Sequence, residues 1–164
     1  EIGAPKWSEE DYRLAKSFLD TYNEETKARI RASMEELYGE DRVEEIWNRP
    51  LDSEVHPYDP KKIVLQAGST DVGDVGYAVP TLNIHVATAC VGNVGHTWQM
   101  TAQSCSPLAH KGLLTAAKVI ALSCIRTMDR PDVIEKAKAE VTKRNGGHYE
   151  CPLPDSVQPP LETY

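Results

Sequence analysis

The chain of 164 residues has no CxxC pair: its four cysteines, Cys90, Cys105, Cys124 and Cys151, lie 15, 19 and 27 residues apart. That spacing gives no support to a zinc knuckle or a thioredoxin-like centre, and predicts reduced, buried thiols in a cytoplasmic protein. Basic clusters are missing too. With a net charge of −7 and a pI of about 5.2, the chain is repelled by phosphate backbones, so neither nucleic acid nor an anionic membrane is an expected partner. No uninterrupted apolar run approaches the roughly 18 residues that cross a bilayer, so no membrane segment is expected. The quiet stretch Val79–Val94 is broken by Pro80, Asn83, His85 and Asn93. A signal-like start and an initiator methionine are also missing, and Glu1 as first residue leads us to expect a processed chain or a piece of a longer protein.

The most informative scarcity is internal. Residues 63–110 contain no lysine or arginine and two acids, Asp71 and Asp74, whereas residues 1–62 hold 10 basic and 16 acidic side chains. Such a 48-residue stretch is expected to be mostly buried or to line a cleft. It also carries His85, His96 and His110. Polar groups buried there need partners, because an unpaired one costs about 1–3 kcal/mol.

The first third reads as helical. Ser8 followed by Asp11 marks a start, and Tyr12, Ala15, Phe18, Leu19 and Tyr22 share a face. A second helix is expected over 25–38, closed by Gly39, a short one near 42–47, and then a proline-rich loop. The middle reads as strands: Lys62–Gln66 is a short apolar run, and residues 80–88 alternate, with Leu82, Ile84 and Val86 on one side. Between them, 68–76 has three glycines and two aspartates and reads as a shaped loop. A long helix rich in small residues is expected after Ser106-Pro107, and another from Asp129 and Pro131 to Gly146. The fold class expected is α/β. The boundaries are 1–150 for the domain (helical 1–48, strand and loop core 62–100, helices 107–144) and 151–164 for an extended proline-rich tail.

Three segments can carry chemistry. Gly68-Ser-Thr-Asp-Val-Gly-Asp-Val-Gly76 lacks the lysine of a phosphate-binding loop, but Asp71 and Asp74 can bind a divalent metal, orient a histidine or simply make a tight turn. In Gly92-Asn-Val-Gly-His-Thr-Trp98, Gly95 leaves His96 free to be aimed as a ligand, as an acid or base, or into a loop hydrogen bond. In Ala109-His-Lys-Gly112, His110 and Lys111 stand at a helix start, where a carboxylate is favoured. A thiol hydrolase built from Cys90 or Cys105 with His96 or His110 lacks a surrounding nucleophile motif.

These segments, with Val79-Pro-Thr81, Ala87-Thr-Ala89, Gly95-His-Thr-Trp-Gln99 and Ala116-Ala-Lys-Val119, resemble the C-terminal part of the M20-type metallopeptidases and amidohydrolases. The opening Ile2-Gly-Ala-Pro-Lys-Trp-Ser8 resembles the point where such chains leave their inserted dimerisation domain. The resemblance covers nearly the whole chain. It implies the C-terminal part of a zinc-peptidase-like catalytic domain, with sheet strands packed by long helices and a di-metal site of zinc or manganese. The implied reaction is attack of metal-activated water on the amide of an N-acyl amino acid such as p-aminobenzoyl-glutamate. Carried over residue by residue, His96 becomes a metal ligand and His110 the alternative for that role. Ser69, Thr70 and Asp71, and with them Asp74, shape the site. No segment matches the family's early ligands or its catalytic glutamate pair; Glu9-Glu10, Glu24-Glu25, Glu35-Glu36 and Glu44-Glu45 all read as helix surface, so no catalytic residue is assigned. The implied partners are the small-molecule substrate, the remainder of the catalytic domain and further subunits of a homo- or hetero-oligomer. The isolated chain is expected to be inactive. The competing expectation is a non-catalytic binding or assembly module that kept the fold.

Overall fold

The computed structural model describes residues 1–59, 68, 70–154 and 156–157. They contain α1 (Glu9–Asp20), α2 (Glu24–Tyr38), α3 (Glu40–Asn48), α4 (Val72–Ala78), α5 (Trp98–Ser104), α6 (Pro107–Met128) and α7 (Pro131–Asn145). The chain divides into two compact units, one formed by Glu1–Asp59 with Ile84–Ser123, the other by Pro60–Asn83 with Cys124–Tyr164.

The α/β expectation is overturned: among the described residues every regular element is a helix and none is a strand. Residues 80–88, with their strand-like alternation, join no ladder. The reason is physical, since alternation only sorts side chains, and a strand exists when a second backbone satisfies its N–H and C=O groups. The other expected strand, Lys62–Gln66, lies outside the described residues. The 68–76 loop is also corrected: from Val72 onward it winds into α4. Low charge did not mean burial either. Val72, Val75, Tyr77, Val79 and Leu82 are all exposed, as are His85, His96 and His110.

In the first unit, α1 begins where Ser8 stands. The Ser8 hydroxyl accepts from the Asp11 N–H at 3.3 Å, and Asp11 Oδ2 accepts from the Ser8 N–H at 2.7 Å, a reciprocal cap. Asn23 caps α2 by accepting from the Thr26 N–H at 2.8 Å. Gly39, with φ 85°, ends α2 and opens α3, a conformation that suits a residue without Cβ. Ala15 and Leu19 of α1, Tyr22 just after it, Ile30 and Met34 of α2, Ile46 and Trp47 of α3, and Leu51, Cys90 and Leu108 form one apolar core. Arg31 lies 4.3 Å over the Trp47 ring and covers its outer face.

Helix α6 fits its surroundings by being small. Gly112 is buried, and a Cβ there would stand 2.2 Å from the Ala87 carbonyl oxygen. At Gly112 the helix thus lies close against residues 87–88, whereas Ala117 and Ala121 of the expected small-residue face are exposed. The expectation that no segment has the length and composition to cross a membrane is also corrected. Over its 22 residues α6 contains an 18-residue window of mean hydropathy 1.4. Leu113, Leu114, Ile120, Ile125 and Met128 are exposed along it.

In the second unit, α7 starts with Pro131 at its first turn and ends on Gly146 in the left-handed conformation, φ 74°. Asn145 Nδ2 donates to the Tyr77 carbonyl at 2.6 Å, tying α7 to the end of α4. Of the tail, Cys151–Pro154 is exposed, and Asp155 and residues 158–164 lie outside the described residues.

One polar contact anchors α6 to α1. Asp11 is 4% exposed, and its Oδ2 accepts from the Ser8 N–H, the Ser8 hydroxyl and Lys111 Nζ. Burial pushes this carboxyl up, but the Lys111 and Ser8 hydrogen bonds outweigh it and hold the group below the ordinary carboxylate range. A depressed folded pKa supplies stability above the unfolded value that is lost as pH falls through the folded one. We expect Asp11→Asn to cost about 1–3 kcal/mol at pH 7. Thermal melts at pH 7 and pH 3 should show a smaller acid loss in the variant than in the parent. Equal acid losses would reject this role for Asp11.

Candidate functional site

The segment carrying His96 runs from Cys90 to Thr97 and is held at nearly every residue. The Val91 N–H donates to the Pro50 carbonyl at 2.8 Å, and the Asn93 N–H to the Cys90 carbonyl at 3.1 Å. Gly92, with φ 82°, sits against Ile30 and Met34, where a Cβ would fall 2.3 Å from Ile30 Cγ2. At the far end, Thr97 Oγ1 donates to the Val94 carbonyl at 2.8 Å, and the same residue caps α5. Three buried side chains complete the hold. Gln103 Oε1 accepts from the Cys90 N–H at 2.8 Å, and Gln103 Nε2 donates to Asn93 Oδ1 at 2.9 Å. The Tyr22 hydroxyl accepts from the Val94 N–H at 3.0 Å and donates to Asn93 Oδ1 at 3.4 Å. Gln99 Nε2 donates to Thr21 Oγ1 at 3.0 Å.

At the crest of this turn His96 is exposed and has φ 58°, the one left-handed non-glycine residue among those described. That conformation costs a residue with Cβ about 1–2 kcal/mol. A strained backbone on a firmly held loop is a common mark of a functional position. His110 is exposed in the first turns of α6. It borders an apolar groove of about 430 Å³ whose walls include Ile84, Val86, Leu113, Ala116 and Ile120.

Thr70, Asp71 and Asp74 belong to the second unit. Thr70 Oγ1 accepts from the Val72 N–H at 3.4 Å, and Asp71 stands exposed at the start of α4. Asp74 Oδ1 accepts from the Tyr149 hydroxyl at 3.0 Å, and burial together with that carboxylate pushes Tyr149 up to about 12. Ser69 lies outside the described residues. Among those described, no three of His, Cys, Asp and Glu gather closely enough to hold a metal ion. Protein metal centres need three or four such ligands, so these residues do not fit a complete zinc or manganese site.

A second cleft, beside α3, is lined by Tyr12, Tyr38, Arg42, Arg49, Asp52 and His56. Its polar side chains are already paired: Arg42 with Glu54 at 2.9 Å, Arg49 with Glu9 at 2.8 Å, and His56 Nε2 hydrogen-bonded with Asp52 Oδ2 at 2.6 Å. His56 is therefore a paired loop residue.

The cysteines differ from expectation. All four are free, but only Cys90 is buried; Cys105, Cys124 and Cys151 are exposed. Burial pushes the Cys90 thiol up to about 11, with Gln103 pulling weakly the other way, so it is protonated and unreactive at neutral pH. That removes Cys90 as a nucleophile. Gln103 and Tyr22 are the members of the site that the sequence did not single out. Tyr22 carried only its helical spacing, and nothing in Thr101-Ala-Gln-Ser-Cys105 distinguishes a buried amide from a surface one.

Two outcomes are expected. A thiol reagent should titrate three cysteines of the native chain quickly and the fourth only after unfolding; four fast thiols would contradict the buried state of Cys90. Because glycine adopts positive φ freely, His96→Gly should leave stability unchanged or raise it by up to about 1 kcal/mol, read from urea midpoints. A clear loss would show that the His96 side chain stabilises the loop.

No family profile matches the chain, and no solved structure matches it. Among curated proteins, one of the subunits of the p-aminobenzoyl-glutamate hydrolase of Escherichia coli (strain K12) does. The identity is 31% over 162 residues, 96% of this chain. The chain spans 34% of that protein's length. Over nearly all of its own length, then, the chain is similar to about a third of a p-aminobenzoyl-glutamate hydrolase subunit.

Proposed function

We propose that this chain is the C-terminal segment of the catalytic domain of an M20-type metallo-amidohydrolase, whose intact form cleaves the amide bond of an N-acyl amino acid such as p-aminobenzoyl-glutamate. The observation that carries the reading is the 31% identity that runs through 96% of the chain to a hydrolase of that name. In this reading the segment contributes the His96 turn, as one ligand to a divalent zinc or manganese ion, and the Thr70–Asp74 region as a shaping element. The general base and the remaining ligands come from the rest of the catalytic domain. The exposed apolar stripe of α6 supports a need for covering polypeptide, because an apolar face of this kind is rarely left to water. Assembly as an oligomer belongs to the same proposal. Four free cysteines favour a reducing, cytoplasmic setting.

The second reading, a binding or assembly module without chemistry, is favoured by one observation: among the described residues no three-ligand cluster exists. The two readings separate on the coding sequence upstream of Glu1, where the enzyme requires metal-ligand motifs and a glutamate pair.

The decisive measurement uses the longest polypeptide that contains this chain, assayed for release of p-aminobenzoate and for bound metal. His96→Ala should lower metal content and reduce activity by at least about 10–100-fold. The 164-residue chain alone should show no hydrolysis. Unchanged metal stoichiometry in His96→Ala would overturn the ligand assignment, and hydrolysis by the short chain would overturn the division of labour.

A further inference from the structure

Two of the three tryptophans are taken up by the fold. Trp7 is half-buried and donates its indole N–H to the Asp52 carbonyl at 2.8 Å. Trp47 is buried, with Lys16 and Arg31 over its ring. Trp98 is 61% exposed. We propose that Trp98, backed by Phe18, is a specificity-determining residue that stacks on the aromatic acyl ring of an N-aroyl amino acid. The proposal rests on the reading of an N-acyl amino acid as substrate and deepens it by giving the ring a place. It requires binding alone, and takes nothing from the ligand assignment of His96 or from a metal ion.

The indole has a firm mount. It opens α5, where Thr97 caps the helix by accepting from the Met100 N–H at 3.4 Å and donates to the Val94 carbonyl at 2.8 Å. The next residue, Gln99, is buried and donates to Thr21 Oγ1 at 3.0 Å, which ties the start of α5 to the residue that ends α1. From α1, the Phe18 ring centre stands 6.5 Å from that of Trp98, tilted by 57°. Aromatic pairs favour such tilted contacts at about 4.5–7 Å. Phe18 thus steadies the indole and leaves most of it open. A ring already held in place loses little side-chain freedom when a ligand stacks on it, which is why rigid aromatic anchors dominate many recognition surfaces.

Charge decides which half of the substrate fits here. From Val75 to His110 the sequence has no Lys, Arg, Asp or Glu, so the chain on both sides of Trp98 has no cation to offer a carboxylate. On α1 the charges nearest Phe18 in sequence, Lys16 and Asp20, are paired with each other. The carboxylates of an N-acyl glutamate are better served by water or by cations elsewhere. A neutral aromatic ring has the opposite need, flat apolar surface, and Trp98 supplies it.

The test uses the longest polypeptide that contains this chain, freed of metal by chelator and titrated calorimetrically with N-benzoyl-glutamate and N-acetyl-glutamate. The two probes carry the same charges and differ in the ring. Trp98→Leu should weaken N-benzoyl-glutamate about tenfold and leave N-acetyl-glutamate within about twofold. Trp98→Phe keeps an aromatic face and should hold N-benzoyl-glutamate within about threefold of the parent. Equal weakening of both probes, or of neither, overturns the assignment. If circular dichroism shows that Trp98→Leu does not fold, the parent labelled with 5-fluorotryptophan decides. Its fluorine resonance that is missing from Trp98→Phe should move with N-benzoyl-glutamate and stay still with N-acetyl-glutamate; a resonance indifferent to both probes overturns the assignment as well. A polypeptide that neither binds nor hydrolyses N-benzoyl-glutamate sinks the amidohydrolase reading and this proposal with it. Hydrolysis of N-benzoyl-glutamate by the parent and by Trp98→Leu at the same KM sinks this proposal alone.

Discussion

A buried amide has four hydrogen-bonding positions and no water to fill them, and the first unit is arranged around that constraint at Gln103. Its carbonyl claims the Cys90 N–H and its NH2 claims Asn93, so α5 and the 90–97 loop hold one relation to each other. Asn93 then obliges Tyr22, and Tyr22 obliges the Val94 N–H. The apolar core of α1, α2 and α3 would collapse to a similar density with many loop conformations above it. The polar chain selects one of them, since leaving any member unpaired costs about 1–3 kcal/mol. No buried side-chain polar atom among the described residues lacks a partner.

The site divides into a rigid part and an exposed part. The backbone from Val91 to Val94 is pinned to Pro50, Tyr22 and α5, while His96 itself meets solvent at φ 58°. That is the arrangement a scaffold needs to hold a group ready for something it does not itself contain. The same division appears in α6, whose Leu108 and Gly112 are buried while its remaining length offers Leu113, Leu114 and Ile120 outward. The proposed function gives both features one explanation, surfaces shaped for ligands and for polypeptide from the rest of a catalytic domain.

Helices α1, α2, α3, α6 and α7 were legible because their signals are local. Ser8 with Asp11, Gly39 after Tyr38, Pro131 and Gly146 each act within a few residues, and the caps form where those side chains stand. The strand reading of residues 80–88 failed because pairing is non-local. Alternation of Leu82, Ile84 and Val86 says which side chains share a face but supplies no second backbone. Helix α4 was hidden by Gly73 and Gly76, which argue for a loop unless the helix is short. The low charge of residues 63–110 was read as burial or as a cleft lining, yet Val75, Tyr77 and Leu82 are exposed while Ile84 and Val86 line a groove. Absence of charge records where salt bridges are not made, and an uncovered apolar surface lacks them as surely as a core does. Of the site, His96 was visible through its flanking glycine, whereas Gln103 looks like any helix-surface amide until its partners are placed.

Gly112 carries a consequence for how this sequence can change. A single methyl group at that position would meet the backbone oxygen of Ala87, which no rotamer change can move aside. Substitution at 112 therefore requires that the 87–88 backbone or the whole helix shift first. Because that oxygen is present whatever side chain stands at 87, position 112 is closed to side chains for as long as this spacing of helix and backbone is kept.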